Sequence, residues 1–360
     1  MQRCTTCIIP SDYPGVTFDE QGRCNFCLSY KPYKREDNEE DLVALLNSRK
    51  AEGPYDCIVP LSGGKDSVFV LYYAVKKLGL RAVAVSYDNC FVHEVAKRNM
   101  VTACERLHVP LIVKEAPGKI HKKIVRQALA MSQICRAYLH LCTDCGLMHK
   151  ATTLDVARKY NVPWILWGSS TIESANAHMM ALLGGKNTRM TRLRRKFVRI
   201  KQLGLGPVKF LRLLPHLALF NILSTYRRWS MGAPLKGGYK KKNENGNEPT
   251  VIRFYDYVDW DVNEEVRILK EEPGWNHPED KESRFDCTLH CFGNARFLQD
   301  NKISLDGTML CNYIREGKIS REEALAKELE IERTIQQECL EVVNQCGMKN
   351  YKSPPVQIRR

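Results

Sequence analysis

Residues Val59 to Ser67 read VPLSGGKDS. The apolar run that leads into them, YDCIVPL (55–61), is short and reads as a buried strand, while the run that follows, SVFVLYYAVKKLGL (67–80), reads as a helix ending at Gly79. A glycine-rich loop between a strand and a helix is a setting for anion binding. Gly63 and Gly64 let the backbone approach phosphate oxygens closely, and N–H groups at the helix start point at the anion with the helix dipole behind them. Lys65 can neutralise charge, Ser62 and Ser67 can donate hydrogen bonds, and Asp66 can hold Mg²⁺. The spacing Gly-x-x-x-x-Gly-Lys-Ser/Thr of the common P-loop is absent, so this loop serves a different phosphate chemistry.

Outward from the loop, RAVAVSYD (81–88) reads as a second strand, HEVAKRNMVTACERLH (93–108) as a helix and PLIVKE (110–115) as a third strand. CGLMHKATTLDVARKYN (145–161) follows as a helix and PWILWGSS (163–170) as a fourth strand. Strands alternating with helices at this spacing predict a parallel sheet with crossover helices. Ligands of such sheets sit at the carboxyl ends of the strands, which makes Gly168 and Ser169 candidates for phosphate contacts. Glu173 and Ser174, just beyond, are candidates for the substrate side. Past about Thr171 the alternation stops, and the chain from 251 onward reads as mainly helical.

Cys4-x-x-Cys7 and Cys24-x-x-Cys27 have four-thiolate zinc spacing, in a segment too small for a core of its own. A second pair, Cys142-x-x-Cys145, precedes the helix at 146–160, and Cys287 and Cys291 stand far downstream in RFDCTLHCFGN. Three thiolates, Cys142, Cys145 and Cys287, match what a [4Fe–4S] cluster with an open fourth iron requires. A second zinc, a redox thiol pair or plain buried cysteines are the alternatives. Cys57, Cys90, Cys104, Cys135, Cys311, Cys339 and Cys346 fall in apolar patterns and read as core.

Lys and Arg number 55 against 41 Asp and Glu, a net charge of +14 over 360 residues. That balance favours anionic partners such as nucleotides, sugar phosphates, nucleic acid or a membrane surface, with a solvated basic surface as the bland alternative. The start, MQRCTTCIIP, lacks a signal-peptide pattern, no run of 18 apolar residues exists, and the 15 cysteines suit a reducing compartment. A cytoplasmic location is expected. The basic segment 186–242 interleaves Arg and Lys with Leu, Phe, Val and Trp. Nucleic-acid binding, a membrane-surface stretch, and a helical insert packing its apolar face on the core all remain open for it.

The hexapeptide SGGKDS after a strand resembles the PP-loop of the N-type ATP pyrophosphatases. The resemblance implies a doubly wound parallel sheet and cleavage of ATP between its α- and β-phosphates. AMP would then activate a carbonyl oxygen for displacement by nitrogen or sulfur. It also implies that the second strand ends near the adenine, which makes Asp88 and Asn89 candidate nucleoside contacts, and it casts Lys65 and Asp66 as catalytic. Some PP-loop enzymes that thiolate tRNA carry a cluster on three cysteines.

Within that superfamily the chain resembles the N-acetyl sugar amidotransferases of surface polysaccharide and lipopolysaccharide O-antigen biosynthesis. The resemblance runs through TFDEQGRCNFC, YDCIVPLSGGKDS, ARKYNVPWILWG, YDYVDWDVNEEV, SRFDC and LCNYIREGKISREEALAKE. It implies adenylylation of the acetamido oxygen of a nucleotide-linked N-acetyl sugar and displacement of AMP by ammonia. The ammonia would come from a separate glutaminase with a cyclase-like partner. The CTDC pair and the basic insert depart from that pattern, so ATP-dependent sulfur transfer to tRNA or a small molecule is the competing expectation, and a non-catalytic ATP-binding scaffold a third. The expected organisation is a zinc-ribbon-like knuckle with a linker helix (1–52), a PP-loop domain (53–185), the basic insert (186–250) and a helical region contributing to the substrate site (251–360).

Overall fold

A computed structural model describes residues 2–33, 37–134, 140–169, 206–233, 248–259, 262–278, 285–348 and 351, with backbone alone at 140–144 and 262–263. Five strands, β1 (Cys57–Pro60), β2 (Ala82–Asp88), β3 (Leu111–Glu115), β4 (Trp164–Trp167) and β5 (Thr250–Arg253), lie in the order β3-β2-β1-β4-β5. Every neighbouring pair is parallel. The chain winds outward from β1 through β2 to β3, then crosses back to β4 and β5, which makes the sheet doubly wound. β5 comes from a region whose sequence reads as helical; TVIR is too short for its pattern to declare a strand.

The helices around the sheet are α1 (Asn25–Leu28), α2 (Glu39–Asn47), α3 (Lys65–Tyr72, continued by a π-helical turn at Tyr73–Lys77), α4 (Glu94–Leu107), α5 (Ile120–Ile134) and α6 (His140–Lys159). They are followed by α7 (Pro207–Ser230), α8 (Val262–Glu271), α9 (His290–Asn301), α10 (Leu305–Arg315) and α11 (Arg321–Gln345). Both faces of the sheet are covered, as a parallel sheet requires. Cys57, Val59, Ala84 and Leu166 pack with Val68, Leu71 and Met100 of α3 and α4. Ile58, Val83, Val85 and Ile165 pack with Leu154 and Ala157 of α6.

Pro60 sits in the central strand, where proline is normally excluded. Leu61 N–H donates to Val85 O of β2 (2.8 Å), and Cys57 N–H also points to that side. By alternation the position of the N–H that Pro60 lacks faces β4. There the ladder has already ended, since β1 pairs β4 only at Cys57↔Trp164 and Ile58↔Ile165, whereas pairing with β2 runs on to Pro60↔Val85. The proline therefore costs no sheet bond, and β1 and β4 part at their carboxyl ends. This is the topological switch point, where open α/β sheets bind ligands.

The C-terminal helices form their own core, with Leu298, Ile331, Ile335 and Val342 packed together. The N-terminal knuckle docks on α10 and α11: Arg321 Nε donates to both Cys4 O and Cys7 O (3.1 Å each). Glu328 of α11 is fully buried and accepts from Ser304 N–H (2.7 Å) and Ser304 Oγ (2.5 Å), which locks the start of α10. Burial pushes its carboxyl up to about 7, against the opposing pull of the Ser304 bonds. A carboxyl raised in the folded state favours folding below its unfolded value and loses that contribution as pH rises through the folded one. Relative to Glu328→Gln, the wild type should lose on the order of 2 kcal/mol between roughly pH 4.5 and 7. Urea midpoints of the two proteins that stay parallel across that window would contradict this.

Candidate active site

The loop Ser62–Ser67 leaves β1 at the switch point, and Gly64 is the N-cap of α3. Helix α3 therefore begins at Lys65, two residues before the sequence pattern suggests, and the loop itself is the helix terminus. Gly63 has φ +80°, and a Cβ there would lie 2.1 Å from Ala96 O, so only glycine fits. Its carbonyl accepts from Asn99 Nδ2 and Trp275 Nε1, both at 3.1 Å. Asn276 N–H donates to Asn99 Oδ1 (3.0 Å), which fixes the orientation of that amide. With the carbonyl pinned, peptide planarity turns the Gly64 N–H the other way, toward the loop's interior. Ser62 Oγ and Ser67 Oγ stand 3.2 Å apart across the loop. Gly168, at the end of β4, brings its backbone against Asp66 and Ser67, whose atoms would lie 3.3–3.4 Å from an added Cβ. Ser169 follows it, its carbonyl accepting from Tyr255 N–H (3.4 Å).

Lys65 Nζ lies 2.5 Å from both Asp66 Oδ1 and Glu265 Oε2. Burial opposes its charge, but Asp66 and Glu265 outweigh that and hold the ammonium above its ordinary value. Glu265 is itself pushed up to about 7 by burial, with Lys65 pulling the other way. Glu265 was not singled out in the sequence, although a signal exists. It shares the inward face of α8 with Ile268 and Leu269, while Glu264 and Arg267 are exposed, and a lone acid on an apolar face marks a partner or a site. Asp286 is a second such residue. Its Cβ would lie 3.6 Å from a Cβ on Gly64, which places a buried carboxyl against the loop.

Cys287, next in the chain, reaches a thiol site. Residues 286–288 cross the loop after β2 through an antiparallel bridge, Val92↔Cys287, with His93 N–H to Asp286 O (3.3 Å) and Thr288 N–H to Phe91 O (2.9 Å). Asn89 Nδ2 donates to Cys145 Sγ and to Cys287 Sγ, both at 3.3 Å. Phe91 N–H donates to Asn89 Oδ1 (2.9 Å), so the amide can point only its nitrogen at the sulfurs. Both amide hydrogens are thus spent on sulfur, which suits thiolates that act as ligands. Asn89, the nucleoside candidate, is buried and turned to the thiols, whereas Asp88 Oδ1 accepts Cys90 N–H (2.7 Å). Helix α6 starts at His140, earlier than 146, so Cys142 and Cys145 lie one turn apart on it. The Cys142 side chain lies outside the described residues, as do Glu173, Ser174 and Cys135. Of the three expected cluster ligands, the structure brings Cys145 and Cys287 to one amide, that of Asn89.

Cys4, Cys7, Cys24 and Cys27 bring their sulfurs within 4.8 Å of one another. Cys7 Sγ and Cys24 Sγ lie 3.8 Å apart and Cys4 Sγ and Cys27 Sγ 4.0 Å, matching the about 3.8 Å edge of a tetrahedron with Zn–S near 2.3 Å. Arg315 Nε and Nη2 reach Cys27 Sγ (3.2 Å) and Cys7 Sγ (3.5 Å), offsetting thiolate charge. Of the cysteines read as core, Cys57, Cys104, Cys311, Cys339 and Cys346 are buried. Cys90 is not one of them. It is half-buried in the loop after β2 at φ +64°, its thiol 3.7 Å from Glu115. A residue in the left-handed region belongs to a turn, which apolar patterning does not reveal.

No protein-family model matches the chain. Over 115 residues, 31% of its length, it is 29% identical to an uncharacterized protein of Methanocaldococcus jannaschii, and the match spans 42% of that protein. Among solved structures it is similar to the U34-tRNA thiolase NcsA of Methanococcus maripaludis, which was solved with its [4Fe–4S] cluster. The TM-score is 0.36 and the identity 12%, covering 93% of this chain and 88% of that one. Neither likeness assigns an activity.

The loop geometry makes a direct prediction. Gly63→Ala should destabilise the fold by about 1–3 kcal/mol. Gly64→Ala, at an ordinary φ of −75° and with its nearest neighbour 3.4 Å away, should be much milder. Equal urea midpoints for the two variants would refute the assigned backbone.

Proposed function

We propose that the chain is a PP-loop ATP pyrophosphatase that activates a carbonyl oxygen of its acceptor as an AMP adduct and lets sulfur displace AMP. The reading rests on one observation: Asp286 lies against Gly64 of the glycine-rich loop while Cys287, about 3.8 Å along the chain between Cα atoms, shares the Asn89 amide with Cys145. A phosphate site and a thiol site thus meet at two consecutive residues.

In the first step the acceptor oxygen attacks the α-phosphorus of ATP, the Pα–O bond to the β-phosphate breaks, and pyrophosphate leaves. Lys65 and the N–H groups of the loop meet the charge that develops on the leaving group. Asp66, with Glu265 and Asp286 close by, suits Mg²⁺, which takes carboxylate and phosphate oxygens. In the second step hydrosulfide adds to the activated carbon, the C–O bond to AMP breaks, and the thiolated product forms. A [4Fe–4S] cluster on Cys142, Cys145 and Cys287 would supply an open iron site for sulfur. Asn89 orients two of those sulfurs. Zn²⁺ on Cys4, Cys7, Cys24 and Cys27 would be structural. The acceptor class is tRNA or a small molecule.

A second reading keeps the activation and replaces sulfur by ammonia on a nucleotide-linked N-acetyl sugar, with the ammonia supplied by a glutaminase and cyclase-like pair. The order of segments from TFDEQGRCNFC to REEALAKE favours it. The two separate cleanly in one experiment: anaerobic purification, iron and zinc analysis, visible absorbance, and pyrophosphate release with sulfide or ammonia. The sulfur reading expects a brown protein that is silent with ammonia and UDP-N-acetyl sugars. A colourless protein that forms AMP only with ammonia and sugar sinks it. In either case Asp66→Ala should remove pyrophosphate release with the fold intact, and unchanged turnover would refute the loop assignment.

Cys4→Ser should lose about one equivalent of zinc and several kcal/mol of stability. A variant that kept its zinc and its melting point would show that the knuckle does not depend on the metal.

A further inference from the structure

Helix α7 is 24 residues long, roughly 36 Å at 1.5 Å per residue. Leu213, Ser224 and Arg227 are its buried residues, with Phe220 half-buried beside α5. That inward face fits an insert packed on the core. The outward face is the anomaly. Val208, Leu211, Pro215, Ala218, Ile222, Tyr226 and Trp229 recur at three- and four-residue steps and form one stripe, all exposed. Leu211, Ile222 and Trp229 are 66%, 63% and 67% accessible. Contiguous apolar surface of this kind marks a binding face. Arg212 and Arg228 lie to either side of it, and the helix contains no Asp or Glu.

We propose that this face of α7 docks, in the plane of the surface, on a membrane carrying anionic lipids. Three observations select that partner. No helix among the described residues is long and apolar enough to cross a membrane, so α7 would lie on one. Its basic flanks and apolar stripe match an interface where headgroups are anionic and acyl chains begin. Tyr226 and Trp229, with ring centroids 5.9 Å apart near one end, are residue types that favour that boundary. A second copy of the chain is a poorer partner: it would set exposed Arg212 of each copy against a helix that contains no acid to answer it. RNA would engage the cations but leave Leu211 and Ile222 in water, since neither can stack or hydrogen-bond. The inference is independent of whether sulfur or ammonia displaces AMP.

The same helix touches the site from its other side. Arg227 is fully buried and hydrogen-bonds His121 Nδ1, which lies 3.2 Å from Tyr87 OH. Tyr87 stands two residues before Asn89, which contacts the thiols.

The test is co-sedimentation of the full chain with phosphatidylcholine vesicles that either lack or contain roughly a quarter phosphatidylglycerol. The expected result is about ten-fold or greater preference for the anionic vesicles, weakened by salt. A blue shift of tryptophan emission on binding should be smaller in Trp229→Phe. Leu211→Glu combined with Ile222→Glu should remove the binding and leave the melting temperature and pyrophosphate release unchanged, because both positions are exposed. No binding to either vesicle overturns the proposal. So does a dimer in solution that this double variant converts to monomer, or loss of tRNA binding in the double variant without any vesicle binding in the wild type.

Discussion

The carbonyl of Gly63 is the point on which the site turns. It is held by Asn99 from α4 and by Trp275 from the segment after α8. Without those two donors the peptide at Gly63–Gly64 could rotate and present a carbonyl, rather than an N–H, to the interior of the loop. Two buried hydrogen bonds outside the loop thus decide its polarity. The positive φ of Gly63 and its contact with Ala96 O leave no room for another residue, so the constraint is steric as well as polar. Pro60 contributes from the strand below, because ending the β1–β4 ladder early gives the loop a cleft to open into.

The electrostatics then follow from what surrounds Lys65. Asp66 and Glu265 both contact it, and Asp286 stands by the loop. Carboxyl groups thus outnumber the ammonium around the loop. Glu265 shows the same competition, since burial raises its carboxyl against the opposing pull of Lys65.

The alternating core was legible because each strand and helix of the first half buries its own periodic face. The loop was legible because its glycines, lysine and serines act locally. The knuckle was legible from its spacing alone. β5 was hidden because four residues carry no period, and it is a strand only because β4 offers an unpaired edge. Glu265, Asp286, Asn99 and Trp275 were hidden for a different reason. Each acts across a long sequence separation, and its partner cannot be read from its neighbours. Asn89 illustrates the limit well: its position at a strand end pointed to a nucleoside, but its direction was set by Cys145 and Cys287, 56 and 198 residues away.

These long-range contacts give the C-terminal part a definite role. Asp286 and Cys287 enter the site as an isolated two-stranded bridge, too short to be stable without packing beneath it. That packing comes from α9 and α11, where Leu289, Cys291 and Phe292 join Ile335 and Val342. The bundle is in turn tied to the knuckle, because Arg315 of α10 and Arg321 of α11 reach the cysteines from one side. Half-buried Arg315 thus ties α10 to the cysteine sulfurs, and Arg321 ties α11 to the cysteine carbonyls. The knuckle is remote from Cys287 in sequence, yet it packs on the same helical bundle that Cys287 leads into.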